Sequence, residues 1–156
     1  MKLIPWKQVR YWRCLCCGNG CQFTVQLTTK EWLNLIKLYG HAWVEPRIDG
    51  FYIKKIIGKR CPFLHRFSNR NLCSIQRIKP LACKIWPFKI LDNPRYSSPS
   101  EAHYKSRYGE FYIYIHSYCP GIIYGKPSEQ LINHVLSEFI EIRLGLIKQQ
   151  IYSTSR

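Results

Sequence analysis

Apolar and polar residues alternate over 22–27, with Phe23, Val25 and Leu27 on one side and Gln22, Thr24 and Gln26 on the other. That is the period of a strand with one buried face. The period then changes. Thr28 and Glu31 stand in the Thr-x-x-Glu order of a capping box, and Trp32, Leu35, Ile36 and Tyr39 follow on one helical face. The spacing predicts a helix over 30–39 that Gly40 ends in a left-handed turn. Residues 50–57 read as a strand, whereas Pro62, Ser68-Asn69 and Asn71 break 61–80 into loop and short turns. A short helix or irregular segment is expected over 82–90, stopped by Pro87. Residues 92–109, rich in Pro, Ser, Tyr and charge, read as a surface loop. A Tyr/Ile-rich strand follows over 110–118. Ser128 then caps a C-terminal helix over 128–150, with Ile132, Val135, Leu136, Phe139, Ile142 and Leu146 on its apolar side and Asn133, Ser137, Glu138 and Glu141 opposite.

Together these elements predict a small α+β fold, one domain over 1–156, with short strands, two main helices and long loops gathered around a cysteine-ligated metal site. The 156 residues, 46% of them hydrophobic, suffice for a core, which excludes global disorder. The longest apolar runs fall far short of the roughly 20 residues a bilayer span needs, so no membrane is expected. The N-terminal segment spreads Lys2, Lys7, Arg10 and Arg13 among its apolar residues without the apolar core of an export signal, and the chain is expected to be cytoplasmic.

Eight cysteines change the picture: Cys14, Cys16, Cys17, Cys21, Cys61, Cys73, Cys83 and Cys119. In a reducing compartment such a set points to metal ligation rather than disulfides. Cys14, Cys17 and Cys21 are spaced C-x2-C-x3-C, with Gly18 and Gly20 between them free to take positive φ. Cys61-Pro62 and Cys119-Pro120 arrive from distant loops as Cys-Pro pairs, a pairing also found in bacterial ferredoxin cluster loops. Three close thiolates plus remote ones suit an iron-sulfur cluster, [4Fe–4S] in the leading reading, whereas structural zinc more often uses two Cys-x2-Cys knuckles and here there is one. Zinc stays the alternative. Cys73 and Cys83 also read as small buried hydrophobes, and His65 and His116 lie close enough to Cys61 and Cys119 to complete a site or to be merely structural. No Cys/His/Asp spacing suggests a nucleophilic thiol.

The cysteine run and its flanks, Val25-Gln-Leu-Thr28-Thr-Lys-Glu31, Cys61-Pro-Phe-Leu64, Cys73-Ser-Ile75, Lys79-Pro80-Leu-Ala-Cys83-Lys-Ile-Trp-Pro87-Phe88 and Tyr118-Cys119-Pro120-Gly121, resemble the YkgJ-type CxxCxxCC family of zinc- or iron-chelating domains. The resemblance implies that Cys14, Cys17, Cys21, Cys61, Cys73, Cys83 and Cys119 occupy ligand positions. Where the family ends its first motif in Cys-Cys, this chain has Gly20-Cys21, and Cys16 is an additional candidate. A remoter similarity, to flagellin lysine methylases, keeps a protein-modifying enzyme in view, and whether the chain is an enzyme stays open.

Charge adds a second line of function. The chain carries 24 Lys+Arg against 9 Asp+Glu, a net charge of +15, and 13 of those bases lie in 54–107 against only Asp92 and Glu101. A basic field of that size attracts polyanions. Lys54, Lys55, Lys59, Arg60, Arg66 and Arg70 are the candidate contacts for a polyanion such as RNA or a ribosome, with Phe63, Phe67, Trp86, Phe88, Tyr96, Tyr104 and Tyr108 available either to stack on bases or to fill the core. In the second reading the metal only braces the fold.

Overall fold

The computed structural model describes residues 2–56 and 60–150. In chain order its elements are β1 (Leu3–Pro5), β2 (Val9–Trp12), β3 (Gln26–Leu27), α1 (Thr29–Tyr39), β4 (Val44–Arg47) and β5 (Gly50–Ile53). Then come β6 (Leu64–Phe67), β7 (Arg70–Cys73), α2 (Leu81–Lys84) and β8 (Phe88–Leu91). The last are α3 (Pro99–Ala102), β9 (His103–Ser106), β10 (Gly109–His116), β11 (Ile122–Tyr124) and α4 (Leu136–Arg143). The mixture is α+β with antiparallel strand pairs, as the periodicities predict. No described helix is long and apolar enough to cross a membrane. The chain divides into two compact units, Met1–Leu15 with Ile85–Arg156, and Cys16–Lys84.

In the first unit β10 is the organising strand. One of its edges pairs with β8, and the other with β9 along its first half and β1 along its second. β2 pairs with β11 through a register shift at Ile123/Tyr124. The core is built on Trp12, whose ring meets Phe88 and Phe139 edge-on at 5.3 Å each, an arrangement that favours aromatic quadrupoles. The indole N–H, buried with the ring, donates to Cys119 Sγ at 3.1 Å. Cys119-Pro120-Gly121 forms a turn closed by Ile122 N–H donating to the Cys119 carbonyl, with proline where a β-turn prefers it. Gly121 is required by space: a Cβ there would run into the Arg13 carbonyl oxygen, while Arg13 N–H donates to the Gly121 carbonyl.

The second unit holds the sheet β3-β5-β4 and the separate hairpin β6-β7. Thr28 Oγ1 accepts from Glu31 N–H and Glu31 Oε2 accepts from Thr28 N–H, so the capping box forms as read from sequence. Leu35 is buried and Trp32 stacks on Phe51 at 4.0 Å, which seats α1 on the sheet. Gly40 ends the helix with φ +82 but an extended ψ of 175, not in the left-handed helical turn expected of it.

Several expectations are corrected. Of residues 22–27, Gln22 ends a 3₁₀ turn (Asn19–Gln22) and only Gln26–Leu27 form a strand, the two-residue β3. The strand expected over 50–57 ends at Ile53, and Ile57 lies outside the described residues. The supposed loop 61–80 contains the β6–β7 hairpin: Ser68-Asn69 are its turn, Ser68 at φ +52, rather than a break. The segment 82–90 is split between α2 and β8, and Pro87 lies between them. Surface loop 92–109 contains α3 and β9, because the open edge of β10 needs a partner and Tyr104, donating from its hydroxyl to the Ile132 carbonyl, is drawn into the core. The C-terminal helix does not reach 150. It starts at Glu129 behind Ser128, whose Oγ accepts from Leu131 N–H, passes through a π turn over Leu131–Val135 and ends in α4 at Arg143. A π turn adds a residue to the repeat and rotates everything beyond it, so Glu138 and Ile140 are buried, while Leu146 lies past the end of α4 and is exposed.

Two outcomes follow for the first unit. Gly121→Ala should lower stability by about 2–3 kcal/mol through overpacking, read as a fall in the urea midpoint. His116, at the end of β10 and stacked on Trp86 at 4.5 Å, is pushed down to about 4 by burial and by the nearby Lys89 ammonium. Between about 4 and 6.5 the unfolded chain therefore binds the extra proton, and stability falls as pH drops through that window. The loss should be on the order of 1–2 kcal/mol, screened because the ring is only half buried, and His116→Gln should flatten that part of the stability–pH curve.

Candidate metal centre

Four of the eight cysteines meet inside the second unit. Cys21 lies on the 3₁₀ turn Asn19–Gln22, which begins where Gly18 takes φ +75 and Cys21 N–H donates back to the Gly18 carbonyl. Of the two glycines in the motif, Gly18 has the positive φ, and a Cβ on it would press within 3.2 Å of Asn71. Cys61 opens a turn with Pro62 at its second position, closed by Leu64 N–H donating to the Cys61 carbonyl. That turn leads into β6, whose Leu64 pairs with Cys73 on β7, and Ser74 N–H continues the ladder to the Phe63 carbonyl. The hairpin stem thus brings Cys61 and Cys73 together. Cys83 sits on α2, whose first residue, Leu81, donates its N–H to Glu31 Oε1 at 2.6 Å. The same carboxylate therefore caps α1 and fixes the helix carrying Cys83.

Cys61 is a buried member of the unit's apolar core, and Cys21, Cys73 and Cys83 pack against that core. Burial is the main force on the Cys21, Cys73 and Cys83 thiols. It pushes Cys21 up to about 11, with the Cys61 and Cys73 thiols adding to the rise and Lys79 and Lys55 opposing it. It pushes Cys83 up to about 12, opposed by Lys79 and reinforced by Cys21, Cys61 and Cys73. Cys73 is raised by burial too, and pulled back by a hydrogen bond with the Ile75 backbone and by Lys79. Without a cation, such thiols hold their protons at neutral pH.

The donor set fits a thiophilic metal. Four sulfurs act on one another, a backbone group hydrogen-bonds one of them, two lysines offset the charge of ionised thiolates, and residues 50–91 contain no Asp or Glu. Sulfur donors without carboxylates select zinc or iron-sulfur chemistry over magnesium or calcium. Among the described residues, however, no three His, Cys, Asp or Glu side chains stand in ligating positions. The thiols are neighbours rather than a finished coordination shell.

The remaining predicted residues are placed differently. Cys16, at φ +50, and Cys17 lie on a loop held to β7, where Asn71 N–H donates to the Cys16 carbonyl and Asn71 Nδ2 to the Cys17 carbonyl, both at 2.9 Å. Cys14, exposed, and Cys119, buried in the Trp12 core, belong to the first unit. So does His116, while His65 is exposed on β6. None of the cysteines forms a disulfide. Lys55, a candidate polyanion contact, instead donates from Nζ to the Cys21 carbonyl at 2.7 Å. Lys54, Arg60, Arg66 and Arg70 are exposed, and Lys59 lies outside the described residues. Of the candidate stacking rings, Phe63, Phe88 and Tyr104 are core, whereas Phe67 is 73% exposed.

Sequence reasoning overlooked Lys79 as part of the centre. Its signal was its place beside Pro80, immediately before the helix of Cys83. No curated protein matches this chain, and no solved structure does. Residues 13–120, more than half of the chain, match the sequence model of the CxxCxxCC family, described as "Putative zinc- or iron-chelating domain", and the chain belongs to that family.

Proposed function

We propose that this chain is a cofactor-bearing module whose Cys21, Cys61, Cys73 and Cys83 hold an iron-sulfur cluster, [4Fe–4S] in the leading form, and that it acts as a redox-active or redox-sensitive protein. One observation carries the reading: the convergence of four thiols, three of them on the acid-free stretch 50–91, with Lys79 acting on three of the four. When bound, the cluster would supply one-electron chemistry, its potential set by charge and by hydrogen bonds to sulfur. In this chain those influences come from Lys55, Lys79 and the Ile75 backbone. Loading the centre requires each thiol to lose its proton, so ligation releases protons and strengthens with pH. A bound group held by these four residues would tie the 3₁₀ turn, the hairpin stem and α2 to one point.

Anaerobic purification with metal and sulfide analysis and a visible spectrum tests this. A brown protein with iron and acid-labile sulfide is expected. Colourless protein holding zinc would overturn the cluster while keeping the thiolate centre, and metal-free protein would overturn both. Cys83→Ser or Cys73→Ser should lose most of the bound metal. Cys119→Ala should keep it while losing about 1–3 kcal/mol of stability, because the buried indole N–H loses its sulfur acceptor.

A further inference from the structure

The β6–β7 hairpin has two faces with different duties. Its register sets Phe67 opposite Arg70 and His65 opposite Leu72, so these four share one face, and Leu64, Arg66, Asn71 and Cys73 share the other. The second face is committed to the fold, through Asn71 on the Cys16–Cys17 loop and Cys73 in the thiol group. The first is exposed along its whole length, with Phe67 at 73% and Leu72 at 44%. A phenyl ring standing out beside a guanidinium at a hairpin end contributes little to the core.

The surrounding charge says what would cover it. The acids of the second unit are Glu31, Glu45 and Asp49, and each is engaged. Glu31 accepts from Thr28 and Leu81 N–H, Glu45 pairs with Arg47, and Asp49 accepts from the Tyr52 hydroxyl. Arg66 and Arg70 have no ion pair among the described residues. Near the base of the hairpin, the Trp43 ring lies 6.0 Å from that of Phe63, the residue before β6. Trp43 also lines a cavity of about 440 Å³ with Ala42, Lys54, Lys55 and Ile56. The second unit therefore offers two partly exposed rings, each beside a cation, in a field with no spare acid. We propose that the outward face of the β6–β7 hairpin binds single-stranded nucleic acid, with a base stacked on Phe67, a phosphate on Arg70, and a further nucleotide at the Trp43–Lys54 cavity. Unpaired bases present π-faces that rings accept without regard to sequence, and phosphates meet the cations. A lipid surface would instead favour contiguous apolar residues, and here the face alternates ring and charge. The proposal does not depend on which metal the thiols hold.

Fluorescence anisotropy of the full-length chain with labelled 12-nucleotide oligouridine, the matching oligothymidine and a 12-base-pair duplex, from 50 to 300 mM salt, tests it. Single strands should bind, with affinity falling steeply as salt rises. Phe67→Ala should weaken binding about five- to 100-fold, the range of one lost base stack, with the salt slope unchanged. Arg70→Gln should reduce the slope by about 0.7, as for one lost phosphate contact. Lys105→Gln, an exposed residue of the first unit, should change neither by as much. Preference for uridine over thymidine or the reverse assigns RNA or DNA as the natural strand, either of which supports the proposal. Absence of binding at 50 mM salt, indifference to both Phe67→Ala and Arg70→Gln, or tighter binding to the duplex or to phosphatidylserine vesicles would overturn it.

Discussion

Desolvation of four neighbouring sulfur atoms is the constraint on which the second unit turns. A thiol is easily buried as a small apolar group, but a buried thiolate needs a compensating cation or hydrogen bonds. Cys21, Cys61, Cys73 and Cys83 are placed in an apolar core and then given Lys79, Lys55 and the Ile75 backbone as partial compensation. The arrangement is neutral while protonated and ready to exchange protons for a soft metal. Much of the local structure serves it: the Glu31 carboxylate joining α1 to α2, the Asn71 side chain holding the cysteine loop, and the hairpin stem bringing Cys61 beside Cys73.

The first unit uses the same residue types differently. Its Cys-Pro-Gly turn resembles the Cys61-Pro62 turn in backbone terms, since both put proline at the second position of a hydrogen-bonded turn. Cys119, however, packs among Trp12, Phe88 and Phe139 and accepts the indole N–H. The close approach of Gly121 to the Arg13 carbonyl accounts for the glycine that follows. Here a motif residue has a packing role, which spacing could not distinguish from a ligand role.

Charge and sulfur chemistry share one element. The β6–β7 hairpin presents Asn71 and Cys73 toward the thiol group and its loop on one face, and Phe67 and Arg70 to solvent on the other. Because the strand period is two, a short sequence such as His-Arg-Phe-Ser-Asn-Arg-Asn-Leu-Cys can serve both without either intruding on the other. The lack of acids over 50–91 bears on both faces, since Cys61, Cys73 and Cys83 have no acid near them in the chain and Arg70 has none to neutralise it.

The sequence by itself determined what depends on neighbours a few positions apart. The Thr28–Glu31 box and the period of Trp32, Leu35 and Ile36 specified α1, the ordered cysteine motifs carried the family, and the composition set the basic field. Tertiary structure decided what depends on partners far along the chain. Ser68-Asn69 read as a break until β6 and β7 paired around it, and Tyr104 read as loop until the edge of β10 and the Ile132 carbonyl claimed it. Glu138 read as solvent-facing until the π turn rotated the helix beyond it. All eight cysteines were candidate ligands in sequence; only the assembled hairpin stem, 3₁₀ turn and α2 placed Cys21, Cys61, Cys73 and Cys83 together and put Cys119 in a different core. Caps and periods are local consequences of backbone hydrogen bonding, whereas strand pairing and the meeting of thiols depend on long-range contacts that leave no local pattern.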